Sequence, residues 1–348
     1  MKFTLPYNNK NPEDFLRVFL PYREHIHSFY FGLPRIFSSH NPYHEEINKT
    51  IQECANTYRF LELTKEMGFK TILCINTLVY PESLNQTEFV VYRELGPLIE
   101  QYGLSAVNIA SPTLAQIIKD FFPDLEIQTS CNTFTFLNNM YQIWHEKFGT
   151  TVFNLPREAL RTPWLMEQFK ETGFVSKCIV NEGCIYGCPG NIEHACSFIM
   201  SNCAHQTFCD RLDYRLSDVF KSNFIPPHRL GEFEGKLDIA KIAGRGWPTE
   251  NILKTFLAYL NQDPEADILT VLHSRTRRYL KESGIQLKAK DWPKKTLTCE
   301  CKECSTCNIC FKAMEHAIKK QGIDVSKLTR RSSFLAIKLI QMVRENNT

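Results

Sequence analysis

Ser105–Thr129, SAVNIASPTLAQIIKDFFPDLEIQT, is the stretch whose reading decides the fold. Ser105 to Ala110 is an apolar strand. Ser111-Pro112 then opens a helix, because serine caps the free backbone N–H groups and proline in the first turn has no N–H to lose. The helix ends near Phe122-Pro123, where proline cannot continue it, and Leu125 to Thr129 is the next strand. Strand, helix and strand in so short a span make a βα unit, whose strands pair in parallel.

The pattern extends in both directions. Toward the N-terminus, Glu88 to Tyr102 reads as a helix, Thr71 to Leu78 as a strand and Ile51 to Gly68 as a helix with its C-cap at Gly68,. His27 to Phe31 is an aromatic strand stopped by Gly32-Leu33-Pro34, and Met1 to Glu24 is polar with scattered aromatics and no assigned strand,. Toward the C-terminus come a helix at Phe134 to Phe148, a strand at Thr151 to Leu155, a helix at Pro163 to Thr172 and a strand at Phe174 to Val180. A strand at Gly235 to Gly246 and a helix at Pro248 to Tyr259 close the series. The step repeats every ~25 to 35 residues, roughly eight times, with the seventh not separately legible; this favours a (β/α)8-type barrel over an open α/β sheet.

NQDP at Asn261 to Pro264 breaks the helical pattern, so the expected division is a barrel over residues 1–262 and a cysteine-rich, mostly helical extension over 263–348,. Within the extension, Ala266 to Ser283 reads as a charged helix, Cys299 to Cys310 as a cysteine cluster and Ser332 to Arg344 as a final helix.

Composition narrows the function. Forty-one basic against 38 acidic residues give a net charge of +3, which supplies no global attraction to nucleic acid,. The start of the chain lacks the order of a signal peptide, and no apolar run is long enough for a bilayer, so a cytoplasmic chain with no membrane span is expected. In that setting fourteen cysteines point to metal binding rather than disulfides,.

Six of the fourteen lie in KCIVNEGCIYGCPGNIEHACSFIMSNCAHQTFC, Lys177 to Cys209. Cys184 and Cys188 sit in a Gly- and Pro-rich loop directly after an apolar strand, where there is little core to fill, and thiolates there suit zinc or an iron-sulfur cluster. Cys178 and Cys196 read more simply as small core residues. Cys203 and Cys209 are chosen as the partners of Cys184 and Cys188, with Cys196 or His194 as substitutes. Cys301, Cys304, Cys307 and Cys310 recur every third residue after Cys299, a spacing no core or helix face requires; iron-sulfur is preferred there, zinc is the alternative, and the site is expected to be separate from the first.

The motifs YFGL (Tyr30 to Leu33), KTILCINTLVY (Lys70 to Tyr80), Leu104 to Asn139, TTVFNLPREAL (Thr150 to Leu160) and KIAGR (Lys241 to Arg245) together resemble the collagenase-like peptidase family. That family includes prephenate-dependent tRNA uridine hydroxylases and oxygen-independent ubiquinone hydroxylases. The resemblance implies a barrel and, in the hydroxylase branch, a 4Fe-4S cluster held by four cysteines that begin after the sixth strand, where this chain has Cys184 and Cys188. The spacing after Cys188 departs from the family's pattern, and the run from Cys299 to Cys310 has no counterpart in it.

Barrel enzymes carry their catalytic groups at the C-terminal strand ends. Here those ends hold Asn132, Arg157, Glu182, Lys241 and Arg245 as candidate catalytic residues and Asn76 and Ser130 as cofactor-binding positions. Arg157 and Arg245 suit a carboxylate, as a prephenate-like co-substrate would need, and Glu182 suits a general acid or base. The expected function is therefore an iron-sulfur oxidoreductase of the hydroxylase type, taking a small-molecule substrate, a carboxylate co-substrate and a redox partner protein. A peptidase and a non-catalytic electron-transfer or zinc-binding module are the alternatives. Arg275 to Arg278 and Arg330-Arg331 read as solvated helix faces, with RNA or an acidic protein as their alternative partner.

Overall fold

The computed structural model describes residues 1–33, 47–76, 78, 84–192, 195, 216–273, 275–299 and 306–323. Eight parallel strands close into a barrel: β1 Lys2–Pro6, β2 Ile26–Phe31, β3 Thr71–Ile75, β4 Ala106–Ile109, β5 Glu126–Thr129, β6 Val152–Asn154, β7 Val175–Ile179 and β8 Ile239–Lys241. Hydrogen bonding between β1 and β8 completes the ring, with Thr4 opposite Lys241. The helices are α1 Pro12–Phe19, α2 Ile47–Glu66, α3 Leu84–Glu100, α4 Pro112–Phe121, α5 Asn138–Phe148, α6 Pro163–Lys170 and α7 Thr249–Leu260. The expected barrel is thus the observed one.

Local chemistry sets the boundaries. The Ser111 hydroxyl accepts the Leu114 N–H at 3.4 Å and Pro112 occupies the first turn of α4. At the end of α5, Gly149 takes the left-handed conformation that lets its N–H reach the His145 carbonyl at 2.8 Å,. That helix begins later than its sequence suggests. The Ser130 hydroxyl accepts the Asn132 N–H, a 3-10 turn runs over Cys131–Thr133, and Phe134 is left-handed at φ 50°. The displaced segment becomes part of the barrel rim.

β1 is the one strand the sequence reading passes over, and the barrel's interior explains why. The lumen is lined in part by a small apolar cluster of Tyr30, Ile72, Cys74 and Ala106, and polar contacts cross the rest of it: Lys177 on β7 donates to Gln128 Oε1 on β5 at 2.7 Å, and the Lys241 ammonium on β8 lies 4.4 Å from the centre of the Tyr30 ring on β2. Thr4 and Ser28 share a hydrogen bond of 2.9 Å between β1 and β2. A strand with a polar inward face, such as KFTLP, does not show a continuous apolar run,. The outward residues Phe3, Phe29, Leu73, Val107, Ile127 and Phe153 join the main core between sheet and helices.

Lys177 is 1 % exposed. Burial, aided by the charge of Lys241 and opposed by Glu126, pushes its pKa down to about 7,. The unfolded chain keeps the ordinary value near 10.5, so between about pH 7 and 10.5 it binds more protons than the folded chain, and stability rises with pH across that window,. Lys177→Met is expected to remove this rise and to stabilise the fold at neutral pH. Unfolding midpoints of both proteins across the window check it; parallel profiles would show that Lys177 is charged in the folded state.

After α7 the chain stays against the barrel. The expected helix over 266–283 is two, Ile268–Val271 and Arg275–Ser283, because Leu272 and His273 are needed in extended form. The His273 N–H donates to the Asn181 carbonyl at 2.8 Å, and Gly183 N–H donates to the His273 carbonyl at 2.9 Å. Ile268, Val271 and Leu272 are buried in the main core. The basic run does not lie wholly on a solvated face: Arg277 Nε donates to the Leu269 carbonyl at 2.6 Å and its guanidinium stacks on Trp247, whereas Arg278 pairs with Glu282. The expected helix at Ser332 to Arg344 lies outside the described residues.

Candidate functional site

The C-terminal strand ends meet at one mouth, where a charged network joins three strand ends. Arg157, after β6, donates through Nη2 to Asn132 Oδ1, after β5, at 3.0 Å and through Nε to Glu182 Oε2, after β7, at 3.4 Å. The Arg157 and Glu182 side chains are only 16 % and 10 % exposed. Asn132 Nδ2 donates in turn to the Asn76 carbonyl after β3 at 3.3 Å. Burial opposes the charge on Arg157, but the acidic side chains around it, the Glu182 and Glu158 carboxylates among them, outweigh it and hold the guanidinium above its ordinary pKa,. Arg157 is therefore a permanent cation at the mouth.

Lys241 and Arg245 form a second group around Tyr30. The Tyr30 hydroxyl donates to the Ile242 carbonyl at 2.9 Å, and the Arg245 guanidinium lies 6.0 Å from the ring centre, on the same ring as the Lys241 ammonium,. Burial, offset in part by Arg245, keeps the phenol well above its ordinary pKa, so Tyr30 is a neutral donor. Ser130 does not face the network with its hydroxyl, which serves the turn below Asn132.

The loop after β6 also holds the cysteine loop after β7. Asn191 Nδ2 donates to Glu158 Oε1 at 2.8 Å, Thr162 shares a hydrogen bond with the Tyr186 hydroxyl at 3.1 Å, and the Arg161 guanidinium lies 4.6 Å over the Tyr186 ring. Arg161 is 1 % exposed and binds three carbonyls from two further segments: Lys221 at 2.5 Å, Ser222 at 3.0 Å and Cys299 at 2.6 Å. Cys184 is fixed by its carbonyl, which accepts the Asn223 N–H at 2.8 Å. A turn with Gly187 at φ 66° and the Cys188 N–H on the Ile185 carbonyl places Cys188 on the same loop, and both cysteines are half-buried.

Cys203, Cys209, Cys196 and His194 lie outside the described residues, as do Cys301 and Cys304. Cys307 and Cys310 stand at the start of the helix Ile309–Lys320, which packs on Leu216–Lys221, beside the Cys184 loop. Among the described residues no three metal-capable side chains converge on one point.

Two mouth residues were not singled out in the sequence. Cys131 is buried directly behind Asn132, with its thiol 3.8 Å from Asn132 Oδ1, and the only signal was its place after β5. His273 reaches the rim from beyond the barrel, lies tilted against Trp247 with ring centres 5.2 Å apart, and has a buried Nδ1 with no hydrogen-bond partner among the described residues. Burial lowers its pKa; Glu182 opposes the shift, and Arg277 and Arg245 reinforce it. No spacing in the sequence indicates that it would arrive there.

Comparison with known proteins gives three likenesses. Residues 20–162 match the family model described as Peptidase family U32. An uncharacterized protease of Methanocaldococcus jannaschii, MJ1657, is 26% identical over 235 residues, 64% of this chain and 68% of that protein. The solved structure of the U32 peptidase Mk0906 aligns with 70% of this chain and 94% of its own, at 13% identity and a TM-score of 0.42. The family match takes in Asn132 and Arg157 and stops before the cysteine loop. Over residues 20–162, then, the chain is similar to peptidase family U32.

Proposed function

We propose that this barrel is an iron-sulfur enzyme that hydroxylates, or otherwise modifies, its substrate without molecular oxygen and that its mouth takes a carboxylate-bearing co-substrate as oxygen donor. The observation that carries the reading is Arg157, a fixed cation at the barrel mouth held firmly by Asn132 and only at 3.4 Å by Glu182, with the Cys184 loop beside it. A co-substrate carboxylate would replace Glu182 on the guanidinium, for which a bidentate partner is the better match. The released Glu182 carboxylate is then placed to accept a proton.

The residues present suit a thiolate-bound cluster: Cys184 and Cys188 lie on one short turn, half-buried, next to the cation Arg157,. Cys203 and Cys209 are the proposed remaining ligands. Such a cluster, when bound, supplies one-electron transfer next to the mouth. Around it Arg157 and Asn132 orient the acid, Tyr30 donates its hydroxyl to the rim backbone, and Lys241 and Arg245 add positive charge. RNA, a small molecule and a redox protein are all candidate partners within this reading.

The name of the matching family favours a second reading, a peptidase. Cys131 is the buried thiol at the mouth, and among the described residues no histidine is hydrogen-bonded to it, so a thiol-imidazole nucleophile is not assembled there,. Protein prepared without oxygen is expected to be brown and to release acid-labile sulfide. Colourless protein with stoichiometric zinc and no sulfide would overturn the cluster reading.

A further inference from the structure

At the opposite end of the barrel a cavity of about 700 Å³ opens between the starts of β1, β2 and β3. Its wall carries Lys2, Arg23, Lys70 and His27 against one acid, Glu24, and that acid already pairs with His25 Nε2 at 3.3 Å. Among the described residues none of Lys2, Arg23 and Lys70 forms an ion pair. Pro21, Ile26 and Phe69 make the rest of the wall apolar.

One cation is held in place. The Arg23 guanidinium lies 5.2 Å over the Phe69 ring, and Nη2 donates to the Gly68 carbonyl at 3.4 Å. Gly68 makes this possible twice over: its φ is 68°, and a Cβ there would sit 3.0 Å from Arg23 Nη2,. The ring of His27 bonds Ser28 Oγ at 2.9 Å through Nδ1. Burial, then the charges of Lys177, Lys70 and Lys2, push its pKa down to about 4, so at neutral pH it adds no charge to the wall.

Like charges gathered around an open, part-apolar cavity repel one another until an anion enters. A carboxylate brings one charge; a phosphate ester brings up to two at its terminal group, and lysine and arginine are its ordinary partners. The volume is that of a small-molecule pocket, and Ile26, Pro21 and Phe69 give it an apolar side,. We propose that this cavity binds a nucleotide-sized phosphate ester, phosphate on Lys2, Arg23 and Lys70 and apolar body on Phe69, Ile26 and Pro21. The site is independent of the mouth chemistry and of any metal.

The test is calorimetric titration of the full chain with ATP in phosphate-free buffer, beside inorganic tripolyphosphate and a short single-stranded RNA. The expected result is one ATP site, weakened roughly tenfold or more by Lys2→Glu and by Lys70→Glu and unchanged by Lys254→Glu, with tripolyphosphate weaker than ATP. Lys2, Lys70 and Lys254 are exposed, so all three variants are expected to fold. No ATP binding, binding that both cavity variants leave intact, equal binding of tripolyphosphate, or binding of RNA alone would each overturn the proposal. None of these outcomes bears on the cluster or on acid binding at the mouth.

Discussion

Arg161→Ala is expected to lower the stability of the chain by about 3 to 5 kcal/mol, among the largest effects a single substitution produces. The guanidinium is buried and satisfies the carbonyls of Lys221, Ser222 and Cys299 while covering Tyr186. Truncation leaves three carbonyls without that donor and opens a void between segments that otherwise meet through Trp292, packed on Phe220 and Phe224, and through the helix Ile309–Lys320. Each orphaned acceptor costs roughly 1 to 3 kcal/mol, partly offset where water enters. Arg161→Lys is expected to recover little, because an ammonium cannot reproduce a planar fork that serves two segments at once. Urea unfolding of the three proteins measures this, and a loss below about 1 kcal/mol would show that the segments are held elsewhere.

The second large effect belongs to Arg157. If a carboxylate docks on it, Arg157→Ala is expected to weaken that acid by well over tenfold, since removing one partner of a desolvated charge pair costs about 2 to 5 kcal/mol. Arg245 is the paired comparison. It shares the Tyr30 ring with Lys241, whose charge remains when Arg245 is removed, so Arg245→Ala is expected to cost less. Anaerobic wild type and both variants are titrated with prephenate and related acids, with the visible spectrum as control. If the wild type binds none of them, or Arg157→Ala binds as well as wild type, the oxygen-donor reading fails and an electron-transfer role moves ahead of it.

How much of this was legible in the sequence depended on which face of a strand carried the signal. Strands such as Thr71–Ile75 and Ala106–Ile109, flanked by capped helices, are readable because outward apolar residues alternate with tolerable inward ones. Lys2–Pro6 is not, because its inward face is made of Lys2 and Thr4 and a lumen with polar partners accepts them. The strand-end positions of Asn132, Arg157, Glu182, Lys241 and Arg245 follow from the same periodicity, but their grouping does not. Arg157 bonds Asn132 and Glu182, each 25 positions away, and Arg161 reaches Cys299, 138 positions away. The pairing of β5, β6 and β7 brings the first three together, and the packing of the chain beyond the barrel brings Cys299 to Arg161. His273 was hidden for a related reason: a helical pattern in the sequence gave way to two extended residues that bond the rim.

The polar part of the lumen has a consequence for what substitutions the barrel tolerates. Lys241 depresses Lys177, and Lys177 depresses His27, so the axis carries a file of groups that each make protonation of the next less favourable. In such a file the usual penalty for deleting a buried polar side chain is partly refunded by its neighbours, whose own protonation becomes easier once it is gone. Exchanges along the axis are therefore coupled rather than additive, since replacing one of these groups changes the protonation of the next.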